Sequence, residues 1–270
     1  DCTSGFHVAL KAYAPSDDLR VHAESATEQE LVTAAVETGG TTYETYDDAP
    51  LRDGVVRHDG IYYWLDAAGA GVETVTGYLF DISWEAGRTA PDDATVFAYG
   101  ALPESDREAV QFLVPGGSGA EDEGHPTQSF TGRDRPVPYP QGGDDSMLLP
   151  RDTVWVRYDG REYRISTGRE TTVDRRRYRY TAERIAGSRD DLRAWAAGRF
   201  LVDLSLTDAQ RDLLEAARGD YYEECSPASE ALGGLRDQLS EEARLPGPAE
   251  GWYVAYGGDR YRLEILQWVE

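Results

Sequence analysis

Three stretches of the chain alternate apolar and polar residues on either side of a two-residue turn: "PLRDGVVRHDGIYYWL" at 50–65, "PRDTVWVRYDGREYRI" at 150–165 and "PAEGWYVAYGGDRYRL" at 248–263. In each, a glycine follows the proline by ten residues (Gly60, Gly160, Gly258), and the apolar positions fall in register. Val56 matches Val156 and Val254; His58 matches Tyr158 and Tyr256; Tyr63 matches Tyr163 and Tyr261; Leu65 matches Ile165 and Leu263. A period of two predicts strands with one buried face. Asp-Gly, Asp-Gly and Gly-Gly supply the positive φ values of a tight type I′ turn, so each stretch is expected to be a β-hairpin.

Upstream of each hairpin the period changes to that of a helix. "SATEQELVTAAVETGG", "ESDREAVQFLVPGG" and "LTDAQRDLLEAARGD" are expected to start at hydroxyl caps on Thr27, Ser105 and Thr207, with acids in the first turn. Each reaches a glycine twelve residues later (Gly39, Gly117, Gly219), the residue suited to a left-handed C-terminal position. Before each helix lies a pair of strand-like segments: "GFHVALKAY" and "LRVHA", then "GYLFDISW" and "TVFAYG", then "RYRYTAERI" and "RFLVDLSL". The expected fold is α+β: three tandem strand-strand-helix-hairpin repeats, with antiparallel sheets each packed by a helix. The expected divisions are 1–75, 76–170 and 171–270. The second copy carries a Gly-, Pro- and acid-rich segment at 116–145, expected as an extended surface loop. The third carries two extra helical pieces, "SRDDLRAWAAGRF" and one within "EECSPASEALGGLRDQLSEEARLPG".

The capped helix followed by "V-x-Y-D-G-x-Y-Y" resembles tandem domains found in secreted and cell-surface proteins of haloarchaea, over nearly the whole chain. These are domains of no established activity, so the resemblance implies an architecture and a surface location but no catalytic residue. The third hairpin departs from the motif by placing Gly257 where the others have aspartate. The turn geometry survives that change, which argues against the aspartate being a ligand needed in every copy.

Composition agrees with such a setting. Acidic residues number 50 against 27 basic ones, for a net charge of −23. Lys11 is the one lysine, and asparagine does not occur. Carboxylate excess with arginine replacing lysine is the pattern of a protein solvated in concentrated salt. It excludes binding to nucleic-acid phosphates or anionic membranes, which need a basic face. The one basic run, Arg175–Arg177, lies in a strand pattern and is expected to pair with neighbouring carboxylates. No apolar run is long enough to cross a bilayer, so direct membrane insertion is not expected. The chain opens at Asp1 without a charged-then-apolar leader, as a mature exported protein does. Cys2 and Cys225 are then expected to form a disulfide, within one chain or between two.

Residues with recognisable chemistry are sparser. His7, His22, His58 and His125 lack short metal-ligand spacing. Ser118, with His125 nearby in sequence, has no nucleophile-elbow context. Acidic doublets recur, and Asp17-Asp18 and Asp92-Asp93, each shortly after a proline, are the candidate sites for weakly bound cations. No other cofactor and no enzymatic activity are expected. Tandem sheets with open edges can continue between subunits by strand addition. Phe6, Val8, Leu10, Leu263, Ile265 and Trp268, near the two ends of the chain, are the candidate interface. The leading expectation is a non-enzymatic extracellular structural or adhesive protein that self-associates into a surface filament or lattice. The alternative is a monomeric cell-surface module that binds a glycan or protein through exposed aromatics and the 116–145 segment; a hydrolase, for which the sequence offers only Ser118 and scattered carboxylates, is the third and least favoured reading.

Overall fold

The computed structural model describes residues 2–16, 19–114, 129–219, 221–246 and 251–269. Twelve strands and five α-helices are named among them. In chain order they are β1 (Ser4–Ala12), α1 (Ala26–Thr38), β2 (Thr41–Thr45), β3 (Gly54–His58), β4 (Ile61–Glu85), β5 (Val96–Ala98), α2 (Glu104–Leu113), β6 (Ser129–Pro138), β7 (Thr153–Tyr158) and β8 (Arg161–Ala186). There follow α3 (Arg189–Phe200), β9 (Leu201–Asp203), α4 (Asp208–Ala216), β10 (Tyr222–Cys225), α5 (Glu230–Arg236), β11 (Trp252–Tyr256) and β12 (Asp259–Val269). The fold is mixed α+β with two mixed sheets. One sheet has the order β10-β1-β12-β11-β9; the other runs β3-β4-β8-β7-β5, with β2 on β8 and β6 on β4. Neither is purely antiparallel, because β9 pairs with β11 and β5 with β7 in parallel.

The three expected hairpins form as β3-β4, β7-β8 and β11-β12. Their turn residues have positive φ throughout: 48° and 81° at Asp59 and Gly60, 48° and 71° at Asp159 and Gly160, 60° and 89° at Gly257 and Gly258. Beside each hairpin lies a parallel partner, Arg20 on Val55, Val96 on Trp155 and Leu201 on Tyr253. "LRVHA" reaches only that single bridge and does not extend into a strand.

The chain divides into two compact units. The first comprises Asp1–Tyr43, Pro50–Ala68 and Arg179–Glu270, the second Glu44–Ala49 and Gly69–Tyr178. In the first unit α4 and α5 bury Leu213, Leu214, Leu232 and Leu235 against Phe6, Val8, Leu10, Val254, Tyr261 and Leu263 of the five-stranded sheet. A second cluster joins Leu192, Ala196 and Phe200 of α3 to Leu19, Val55, Tyr62 and Tyr253. Each fully buried leucine or valine contributes about 1.5–3 kcal/mol. α1 buries Leu31, Val32 and Ala35 and packs on β3. Its cap is Ser25 rather than Thr27, because Ser25 and Glu28 form a reciprocal capping box that starts the helix earlier. Gly39 ends it at φ 76°.

In the second unit, Ala109, Val110 and Leu113 of α2 pack on Phe80, Ile82, Val154, Val156, Tyr163 and Ile165. Here too the expected cap differs. Pro103 occupies the position and makes no side-chain cap bond, while the Ser105 hydroxyl bonds Asp145 at 3.3 Å. The next residue, Asp106, is fully buried. Its carboxylate accepts from the Tyr139 hydroxyl (3.0 Å), the Ser146 hydroxyl (2.6 Å) and the amides of Met147 (2.7 Å) and Leu148 (3.2 Å), clasping the 139–148 segment onto α2. Burial, and then the charge of Asp106, push the Tyr139 phenol far above its usual range.

Within 116–145 the expectation of an extended loop fails at 129–138, which is strand β6 paired with β4. Pro136 and Pro138 have no N–H to give, yet an edge strand tolerates them, and Val137 is buried. Residues 116–128, with Gly117, Ser118 and His125, lie outside the described residues. The basic run behaves as expected: Arg175 pairs with Glu73 and Glu44, Arg176 with Asp48, and Arg177 with Glu44. The hydrogen bond from Arg177 holds the Glu44 carboxyl below the ordinary range.

Candidate functional site

Strand β1 sets the composition of the site. Its alternation sends Phe6, Val8 and Leu10 into the core and leaves His7, Ala9 and Lys11 on the opposite face. Antiparallel register places His7 across from Leu266, Ala9 from Glu264 and Lys11 from Arg262 on β12, and His7 from Glu223 on β10. Two cations facing each other, Lys11 and Arg262, would repel. Glu264 removes the conflict by accepting from both, 2.9 Å from the Lys11 ammonium and 2.6 Å from the Arg262 guanidinium. The hydrogen bond to Glu264 raises the Lys11 pKa above the ordinary lysine value.

Along the same face runs a ribbon of rings. Trp268 lies over Gly5, where a Cβ would come within 2.8 Å of the indole. The glycine is what lets the ring lie against the strand. His7 meets Trp268 edge-on at 5.8 Å and Tyr221 at 6.0 Å. The Lys11 ammonium stands 5.3 Å from the centre of the Tyr221 ring, a cation–π contact. Tyr221 is half exposed, as is Leu266.

The ribbon ends in a cleft of about 1090 Å³ within the first unit. Residues 9–14 at and just beyond the end of β1, the 217–219 stretch with Tyr221, and the 258–261 turn of the last hairpin line it. The Leu10 amide, donating to the Ala217 carbonyl at 2.9 Å, holds two of these walls together, and the Tyr13 amide, donating to the Arg260 carbonyl at 3.1 Å, holds the third. Lys11, Arg218 and Arg260 contribute three cations, against the single carboxylate of Asp259 among the described lining residues. Arg218 stacks over Tyr261 at 5.4 Å and stands 3.8 Å from Glu215. Arg260 donates to the Tyr253 hydroxyl at 3.4 Å and has no carboxylate partner among the described residues. Chemically the arrangement offers cationic donors and aromatic faces, which bind and orient.

The sequence candidates fall elsewhere or change role. Phe6, Val8, Leu10 and Leu263 are core residues, Ile265 packs against them, and Trp268 belongs to the ribbon. The open edges expected at the two chain ends are closed, because β1 lies between β10 and β12, and β12 between β1 and β11. Alternation within each strand could not reveal that the two ends pair with each other. Cys2 and Cys225 form a disulfide within the chain, with 5.6 Å between Cα atoms, joining β10 to the start of β1. Asp92 and Asp93 sit in an exposed turn, and Asp17 and Asp18 lie outside the described residues. His7 is 3.6 Å from Glu223, His58 is 3.7 Å from Asp59 and His22 is exposed. Among the described residues no group of three or more His, Cys, Asp or Glu could hold a metal ion, and no helix is long and apolar enough to cross a membrane.

Sequence reasoning missed Arg218, Tyr221 and Arg260, and noted Lys11 only as the sole lysine. The usable signal was that this lysine sits on a strand whose other face carries Phe6, Val8 and Leu10. Comparison of the chain with protein-family models, with curated proteins and with solved structures returns no match.

Proposed function

We propose that this chain is a non-enzymatic extracellular binding module of a halophilic cell surface, which holds a glycan along the Trp268–His7–Tyr221–Lys11 face and its adjoining cleft. The observation that carries the reading is the ribbon itself: flat rings, partly exposed, leading into a large cleft rimmed by hydrogen-bond donors. Sugar rings present C–H faces to aromatic rings and hydroxyls to such donors. The test is affinity electrophoresis of the purified chain in molar KCl through gels containing soluble polysaccharides. Retardation on at least one of them, lost in Tyr221→Ala and in Trp268→Ala, is the expected result. Unretarded migration on every polysaccharide tried would count against a glycan-binding module.

The filament or lattice is a second reading, and it rests on different strands from those first suspected. β9 and β10, the edges of the five-stranded sheet, are short, and an assembly by strand addition would run through them. We also read the architecture as three copies of one strand-strand-helix-hairpin unit. The parallel contact recurring at Val55, Trp155 and Tyr253, each five residues ahead of a hairpin glycine, supports it. Weakly bound cations at exposed acidic pairs remain part of the proposal as counter-ions.

A further inference from the structure

We propose that the cleft selects a saccharide bearing carboxylate groups, a uronic-acid type of sugar; the inference rests on the glycan reading and specifies its chemistry. The chain carries −23, so a surface drawn from it at random is acidic. The described lining of the cleft carries Lys11, Arg218 and Arg260 against Asp259; Glu264 and Glu215 stand beside the first two, and Arg260 has no carboxylate partner among the described residues. A neutral sugar has no use for such a guanidinium, since hydroxyl groups are served as well by neutral donors.

A lysine ammonium has three N–H donors. Glu264 takes one of those on Lys11, and the Tyr221 hydroxyl lies at the limit of another, at 3.5 Å. A guanidinium has five, in a planar fork that matches a carboxylate. Among the described residues the Arg260 guanidinium makes one hydrogen bond, to the Tyr253 hydroxyl at 3.4 Å, and it is long. Arg260 therefore keeps most of its fork for an incoming anion, and Lys11 keeps a donor beside the Tyr221 ring.

Beside the cleft, Lys11 already shares one carboxylate with an arginine. Glu264 sits between Lys11 and Arg262 and is bonded by both. An incoming carboxylate between Lys11 and Arg260 would meet the same pair of donor types, with its sugar ring against Tyr221. At molar ionic strength the Debye length falls to about 3 Å, so the remote acidic surface no longer repels such an anion while direct contacts still act.

Isothermal titration in molar KCl with tetragalacturonate, and with its fully methyl-esterified form, tests this. Binding of the acid with an affinity about tenfold or more above that of the ester is expected, with the difference abolished in Arg260→Gln and reduced in Lys11→Gln. Both side chains are exposed, and an unchanged circular dichroism spectrum and melting temperature establish that the variants fold. Equal binding of acid and ester, both lost in Tyr221→Ala, overturns the carboxylate inference and leaves the glycan reading standing. No binding of either form overturns the inference, and the glycan reading falls with it if polysaccharide gels also fail to retard the chain.

Discussion

Asp106 shows at the scale of one residue what a single buried charge can organise. In sequence it is one acid in the first turn of a helix, where it would be read as complementing the helix dipole. In the fold it is fully enclosed and spends its lone pairs on two hydroxyls and two amides of one connecting segment. Removing it strands several buried donors at once, so Asp106→Ala should cost on the order of 3 kcal/mol or more. Tyr139→Phe removes one partner and should cost about 1 kcal/mol. Denaturant unfolding of both variants in molar salt measures the contrast, and similar small losses in the two would show that the clasp is dispensable. Nothing local to Asp106 marks this role, because its partners lie more than thirty residues away. The cleft was hidden for the same reason: Lys11, Tyr221 and Arg260 meet only through long-range pairing.

At the scale of elements, the hairpins and most helices were legible because their signals are local. A two-residue turn with positive φ, a capping box and an apolar stripe all act within a dozen residues. What the sequence left open was the linkage between elements. β4 and β8 run unbroken through 61–85 and 161–186, so the divisions drawn at 75/76 and 170/171 fall inside strands. The segments crossed there, such as "DAAGAGVETVTG", are small and polar and lack a period-two apolar face, so no strand signal marks them. Cysteine pairing was equally undetermined until β1 and β10 were seen side by side. The bond closes a loop with a sequence separation of 223, so Cys225→Ser should lower stability by about 2 to 5 kcal/mol. On a non-reducing denaturing gel the wild-type chain should run as a monomer, ahead of its reduced form. A covalent dimer on that gel would place the bond between chains.

For the whole molecule, charge outweighs every local contact in setting how stability responds to the solvent. With 50 acids and 27 bases, self-repulsion opposes the compact state wherever salt does not screen it. The melting temperature should therefore climb as KCl is raised from millimolar to molar concentration, and a flat or falling curve would count against a halophilic setting. Local pairs such as Arg157 with Glu162 (2.7 Å) ease the repulsion without cancelling it. The Ala90 amide and then Arg157 hold the Glu162 carboxyl below its usual range, so its contribution is present above the ordinary glutamate pKa and is lost as pH falls through the depressed value. The pairing of β1 with β12 has a mechanical consequence as well. Ser4 lies opposite Val269 and Ala12 opposite Tyr261, so the two ends leave the sheet side by side. Tension applied between them would pull along the hydrogen bonds and open the pair like a zipper, one rung at a time. A pull between the first strand and Cys225 would instead load a covalent bond. Under force, this fold would yield from its last strand first while the disulfide held β1 to β10.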